Sequence, residues 1–241
     1  MLANISLISL NVERSEHLHA IKVFLEKEKP DIFCAQEIFE HDIPFFEAII
    51  GPLVCFAPVV MFKDKNTTGV FGVGIFSKLS VRAHRVEYYY GNKDSILMYD
   101  GETTALMSRP LAYADFEKDG NIFRIGTTHF TWTADGQADE AQRRDLKNLF
   151  KILDATGDIA FAGDFNAPRG LEIFSALSER FKDNIPQHYD TSIEGNPRRN
   201  SLKLMVDGLF TTSLYEAYDV EMISGVSDHY AIKARLRKGI V

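Results

Sequence analysis

Residues 159–168, IAFAGDFNAP, constrain the fold more than any other stretch of the chain. The stretch begins as an apolar run of the kind a buried strand shows. It breaks at Gly163, places Asp164 and Asn166 two residues apart, and stops at Pro168. On extended backbone, residues two apart point to the same side. An acid and an amide are then presented together at the end of a strand, where open α/β sheets bind their ligands. Asp164 can accept a proton or hold a cation, and Asn166 can donate to a phosphoryl oxygen. Gly, Asp, Asn and Pro also make ordinary turns, so this stretch alone leaves site and turn equally open. Five other strand ends repeat the pattern.

Residues 4–11 read as a strand with apolar side chains on both faces, ending at Asn11. Ser15 is expected to cap a helix over 16–29, with Leu18, Ile21, Phe24 and Leu25 as its apolar stripe and Pro30 as its stop. A second buried strand, 31–36, ends at Glu37. A short helix over 43–50 closes at Gly51, and strands over 53–62 and 70–76 follow. Gly69, Gly72 and Gly74 match no nucleotide-binding glycine motif, and no helix follows them. They read as strand glycines allowing a bulge or close packing. The region 81–107 is the least regular; its Tyr88, Tyr89 and Tyr90 read as an aromatic strand face in preference to a stacking rim. Asp119-Gly120 signals a hairpin between 109–117 and 122–130, and its second strand delivers Thr128-His129. Helices are expected over 138–153 and 171–177. A polar segment over 183–202 is locally basic at Arg198, Arg199 and Lys203. A strand over 204–210 carries Asp207, and Ser227-Asp228-His229 introduces the last strand, 230–236. No repeat or linker interrupts the chain, so 1–241 reads as one α/β domain.

A net charge of −7 argues against a broad electropositive face for duplex nucleic acid. It leaves room for a nucleic-acid enzyme, because a bound divalent cation supplies local positive charge. The two cysteines, Cys34 and Cys55, lie in apolar runs and suggest no disulfide framework. The N-terminus alternates like a strand and does not resemble a signal peptide, so a cytoplasmic location is expected.

The strand ends carry Asn11, Glu37, His129, Asp164 with Asn166, Asp207, and Asp228 with His229. A hard cation such as Mg²⁺ takes carboxylate, amide and water oxygens. Asn11, Glu37 and Asp228 can provide them. Phosphate ester hydrolysis also needs an activated water and donors for the developing charge. Asp164, Asn166, His129 and His229 suit those tasks, and Asp207 could fix the tautomer of His229. Singly, each has a plainer reading: Glu37 as a surface turn residue, His129 as a satisfied core histidine, Asp207 as a turn former. Jointly, those readings need six independent coincidences.

The pieces SLN (9–11), KPDIFCAQE (29–37), TTHF (127–130), GDFNAP (163–168), VDGLF (206–210) and SDHYAI (227–232) make the chain resemble the endonuclease/exonuclease/phosphatase superfamily, the DNase I-like fold. The resemblance implies a four-layer α/β/β/α sandwich of two packed mixed β-sheets flanked by helices. It implies a divalent metal, usually Mg²⁺ with Mn²⁺ as a substitute, held chiefly by Glu37 with Asn11 and Asp228 nearby. It gives phosphate contact and water activation to Asp164 and Asn166, pairs Asp207 with His229, and places His229 on the scissile phosphate. His129 stands where abasic-site endonucleases have a tyrosine, and Phe130-Thr131-Trp132 replaces their Pro-Asn turn. That favours the branch with sphingomyelinases, DNase I, deadenylases and tyrosyl-DNA phosphodiesterases. There the equivalent histidine often has an acidic partner, for which Glu87 and Glu102 are the candidates. Arg109 is either a phosphate contact or a strand-edge arginine, while Phe39, Trp132 and the tyrosines would suit a base, sugar or lipid.

The expected function is Mg²⁺-dependent hydrolysis of a phosphodiester by in-line attack of water. The expected substrate is single-stranded nucleic acid or a nucleotide, and the expected state a monomer. The alternatives are a phosphatase or phospholipase C-like enzyme on a phosphorylated lipid or small molecule, and a non-catalytic phosphate-ligand binding protein. No Gly-x-Ser-x-Gly elbow or His-Glu-x-x-His motif supports another hydrolase chemistry.

Overall fold

The computed structural model describes residues 3–63, 67–99, 106–194 and 204–239. In chain order its elements are β1 (Asn4–Asn11), α1 (Leu18–Glu28), β2 (Ile32–Phe39), α2 (Ile43–Ile50), β3 (Leu53–Lys63), β4 (Thr68–Ser77), β5 (Ser80–Tyr90), β6 (Arg109–Lys118) and β7 (Asn121–His129). There follow α3 (Glu140–Thr156), β8 (Ala160–Asp164), α4 (Glu172–Arg180), β9 (Lys182–Asp183), β10 (Asp207–Thr211), β11 (Tyr215–Ile223) and β12 (Ala231–Lys238). They form two six-stranded sheets, ordered β11-β12-β1-β2-β4-β3 and β5-β6-β7-β8-β10-β9. Each is mixed: β1–β2 and β7–β8 are parallel, and the other pairs are antiparallel. A parallel pair needs a crossover, and α1 and α3 supply one in each sheet.

The sheets pack face to face. Leu7, Cys34, Val73 and Ile75 of the first meet Ala112, Ala114, Ile125, Ala160 and Ala162 of the second in one buried cluster. On the outside, Ile21, Phe24 and Leu25 of α1 and Phe46 of α2 cover Ile8, Phe33 and Phe76. Leu146, Leu149 and Leu153 of α3, with Phe174 and Leu177 of α4, cover Phe161 and Phe210 of the second sheet. The four-layer arrangement follows from strands apolar on both faces, which must be covered twice. Polar contacts also cross between the sheets. Gln36 Nε2 donates to Thr127 Oγ1 at 2.8 Å, and Lys118 Nζ donates to both Asp31 oxygens at 2.8 and 2.9 Å.

Several local expectations need correction. Ser15 does not cap α1: its hydroxyl donates to Asp42 Oδ2 at 2.6 Å, and the helix begins at Leu18 behind His17 without a side-chain cap. β2 does not end at Glu37 but bulges there and continues to Phe39. The strand carrying Asp207 begins at that residue, and residues 204–206 are not part of it. β11, which the sequence reading does not include, is an edge strand with a register shift between Tyr218 and Glu221. The glycine reading fits at Gly72, where a Cβ would run into the backbone carbonyl of Ala57. The hairpin turn has Asp119 at φ 51° and Gly120 at φ 73°, as a type I′ turn requires. Glu102 and the basic residues Arg198, Arg199 and Lys203 lie outside the described residues.

Candidate active site

Strand directions bring the polar ends to one edge. β1, β2, β7 and β8 run parallel in pairs, and their C-terminal ends carry Asn11, Glu37, His129 and Asp164. β10 runs antiparallel to β8, so its first residue, Asp207, pairs directly with Asp164. β12 runs antiparallel to β1, so Asp228-His229, just before it, arrives at the same edge. In the other direction His129 is in register with Asp164. The first sheet thus contributes Asn11, Glu37, Asp228 and His229, and the second contributes His129, Asp164 and Asp207.

Two of these residues hold backbone conformations that their types adopt reluctantly. Glu37 lies at φ 56° in the β2 bulge, and Asn166 at φ 50° after β8. Left-handed conformations at non-glycine residues recur where structure serves a site. The extended-strand argument for pairing Asp164 with Asn166 therefore does not hold. The backbone instead turns back, so that Asn166 N–H donates to Asp164 Oδ1 at 2.8 Å. The Asn166 amide donates to Phe130 O at 3.0 Å.

Asp164 is the hub. Its Oδ2 accepts from Asn11 Nδ2 at 3.1 Å and lies 3.5 Å from His129 Nε2 and 3.8 Å from His229 Nε2. His229 Nδ1 donates to Asp207 Oδ2 at 2.7 Å. Glu37 Oε1 lies 3.4 Å from Asn11 Nδ2 and 3.8 Å from His129 Nε2. Burial pushes the Asp164 carboxyl up to about 7; the neighbouring His229 opposes this and Asp207 adds to it. For His229 burial pulls downward, but Asp207 and Asp164 prevail and raise it well above the usual imidazole range. His129 goes the other way, lowered well below that range by burial, Arg109 and His229. The two imidazoles are thus pushed apart, one cationic and one neutral.

A cation beside Glu37 would meet the acidic side chains of Glu37 and Asp228. Burial raises the Glu37 carboxyl, Arg14 opposes that, and the charge of Asp228 raises it further. Added positive charge would relieve both carboxylates. The amide oxygen of Asn11 accepts from Glu13 N–H at 3.1 Å, so its N–H₂ side faces the carboxylates. Ligand atoms of Asp228, Glu13 and His17 lie within 4.8 Å of one another, as do those of Asp164, Asp207 and His229. The latter trio is already joined by the His229–Asp207 hydrogen bond.

Other assignments change. Arg109, at the start of β6, is buried, and its Nη1 donates to Phe130 O at 3.1 Å and His129 O at 3.4 Å. Phe39 is buried against the His41 ring and is no rim residue. The tyrosines follow the strand-face reading. Tyr88 OH donates to Pro58 O, Tyr89 OH bonds Thr128 Oγ1, and Tyr90 lies under Arg144. Glu87 faces Tyr113 and Arg124 in a groove against α3, and His129 Nδ1 has no hydrogen-bond partner among the described residues. Two supports beneath the site are not among the expected site residues: Gln36, whose amide bonds Ser9 and Thr127, and Arg109, which bonds the His129 carbonyl. For Gln36 the signal is a glutamine inside an apolar strand.

Two packed mixed sheets, with acids, an amide and two oppositely tuned imidazoles gathered at their common edge, define an α/β sandwich with a hydrolytic type of site. The chain belongs to the Endonuclease/Exonuclease/phosphatase family, whose model matches residues 4–229. Members of that family are hydrolases of phosphate esters. No curated protein matches the chain in sequence. Among solved structures, an endonuclease/exonuclease/phosphatase from Bacteroides vulgatus matches at TM-score 0.77 and 17% identity, covering 98% of this chain and 100% of that one. The mannosyl-6-phosphatase of Bacteroides thetaiotaomicron matches at 0.72 and 13%, covering 96% and 99%. The human Nocturnin catalytic domain, solved with bound sulfate, matches at 0.70 and 15%, covering 98% and 94%. At these identities the likeness concerns the fold.

Proposed function

We propose that this chain is a Mg²⁺-dependent phosphoesterase that hydrolyses a phosphodiester by in-line attack of water, with 1–241 as one catalytic domain. The observation that carries the reading is the chain Asp207–His229–Asp164, with a raised carboxyl beside a cationic imidazole. Asp164 takes the proton of the attacking water, a task suited to a carboxylate tuned to about 7. The N–H of Asn166 and the amide of Asn11 fix which lone pairs remain for that proton. His229, held cationic by Asp207, donates from Nε2 to an oxygen of the phosphorus centre as charge builds there. His129 stays neutral, and the two carboxylates facing its Nε2 favour the proton on that nitrogen. It serves as a second donor. Glu37 and Asp228 would hold Mg²⁺ or Mn²⁺, while Asn11, expected from the sequence as a further ligand, turns its N–H₂ to the carboxylates and would steady Glu37 and Asp164 beside the ion. The bound ion would supply positive charge to the phosphoryl and leaving oxygens.

Phosphate monoesters are the second reading, favoured by the fold shared with a mannosyl-6-phosphatase over 96% of this chain. Single-stranded nucleic acid, nucleotides, sugar phosphates, phosphoinositides and sphingomyelin, each assayed in Mg²⁺ and in EDTA, separate these. Diester cleavage lost in EDTA supports the proposal. Cleavage of monoesters alone moves it to a phosphatase. Tight phosphate-ligand binding without turnover of any ester would replace it with a binding protein.

A further inference from the structure

The mechanism makes no use of Arg14, yet the backbone goes to some length to place it. Glu13 and Arg14 lie at φ 48° and 61°, two consecutive non-glycine residues in the left-handed region. Arg14 N–H donates to Glu37 O at 3.1 Å, which ties it to the β2 bulge. Its guanidinium lies over the Phe62 ring, 4.7 Å from the centroid, and the Tyr99 ring stacks near Phe62 at 6.0 Å and 17°. Phe62 and Tyr99 are half-buried, and a quarter of the Arg14 side chain is exposed. Among the described residues, the carboxylate paired with the guanidinium is that of Glu13, at a loose 3.6 Å, and Glu13 is itself engaged by His17 at 2.7 Å.

Strand order fixes where this group stands. Along the first sheet the sequence is β12, β1, β2, β4, β3. His229 and Asn11 therefore lie to one side of Glu37, and Phe62, two strand spacings or about 10 Å away, lies to the other. With a phosphorus centre between Asp164 and His229, the unit of the substrate beyond Glu37 would lie toward Arg14 and Phe62. A guanidinium with one face on a ring offers its other face to a flat group and its N–H edge to an anion. A nucleotide joins a flat base to a phosphate, and the base must be unpaired to stack on such a platform. The net charge of −7 points the same way, since a long duplex would meet repulsion elsewhere.

We propose that Arg14, Phe62 and Tyr99 form a subsite for an unpaired nucleotide flanking the scissile phosphate, which makes single-stranded nucleic acid the substrate class. This rests on the phosphoesterase reading for its purpose, but its test does not need turnover. In an Asp164→Asn background, binding of a fluorescent single-stranded oligonucleotide is followed by anisotropy, with thermal melts to verify folding. Arg14→Gln is expected to weaken binding about tenfold, as loss of one stacked base does, and Phe62→Leu several-fold. Arg14→Lys, which keeps charge but not the planar face, should fall between wild-type arginine and glutamine. The ratio of kcat/KM on the oligonucleotide to that on methyl p-nitrophenyl phosphate should drop by a similar factor in Arg14→Gln. Absent oligonucleotide binding, or binding unchanged by Arg14→Gln, overturns the subsite even if the enzyme cleaves other esters. Failure of wild-type turnover on every ester, with oligonucleotide binding still dependent on Arg14, overturns the phosphoesterase reading alone.

Discussion

Asp164 is 2% exposed, hydrogen-bonded at both oxygens, and pushed up to about 7 by burial. A base works only when unprotonated, so kcat/KM should climb about tenfold per pH unit below 7 and level off above it. His129, held neutral, adds no limb near neutrality, and His229, raised well above the imidazole range, stays protonated through it. Asp207→Asn removes the charge that raises His229. Its falling limb then moves toward neutral pH, and kcat/KM at pH 8 should drop about a hundredfold. A wild-type profile flat from pH 5 to 9, or an Asp207→Asn profile like that of the wild type, would contradict the assigned protonation states. At this scale the sequence was legible where chemistry announces itself: His129, Asp164, Asp207 and His229 do converge. It was not legible for Arg109. Nothing local in Ser-Arg-Pro says whether a guanidinium faces solvent or lies under two carbonyls.

Elements carry these groups through backbone features as much as through propensity. The Asp-Gly hairpin, the helix-ending Gly51 and the apolar stripes of α1 and α3 were readable because each acts within a few residues. The β2 bulge was not, because it arises where the pairing with β4 slips between Ala35 and Ile38. β11 was hidden for a related reason: an edge strand open to solvent keeps polar residues on both faces. In β8, Gly163 sits at φ 157°, and a Cβ there would run into the backbone of Thr128, one residue before His129. Gly163→Ala should therefore cost about 3 kcal/mol, from overpacking and an unfavoured φ. Denaturant melts read this directly, and a loss under about 0.5 kcal/mol would show that β7 and β8 are not held so closely.

The whole molecule is two sheets whose seam is the site. Asn11–Asp164 and His229–Asp207 hydrogen bonds join the first sheet to the second there, and Gln36–Thr127 joins them just below. No helix among the described residues is long and apolar enough to cross a membrane. Four layers could be anticipated from strands apolar on both faces; the pairing order could not, because long-range register leaves no local trace. Ligand binding at such a seam raises global stability. Mg²⁺ at a hundred times its dissociation constant should add about 2.7 kcal/mol, visible as a higher Tm, and Glu37→Ala should abolish the gain. An equal rise in Glu37→Ala would place the ion elsewhere. The central claim is tested most directly by turnover of the best phosphodiester from the substrate panel in Mg²⁺ by wild type, Asp164→Ala and His229→Ala. The account predicts a loss of more than about a hundredfold in each variant, with both folded by thermal melt; near-wild-type turnover in both would contradict it.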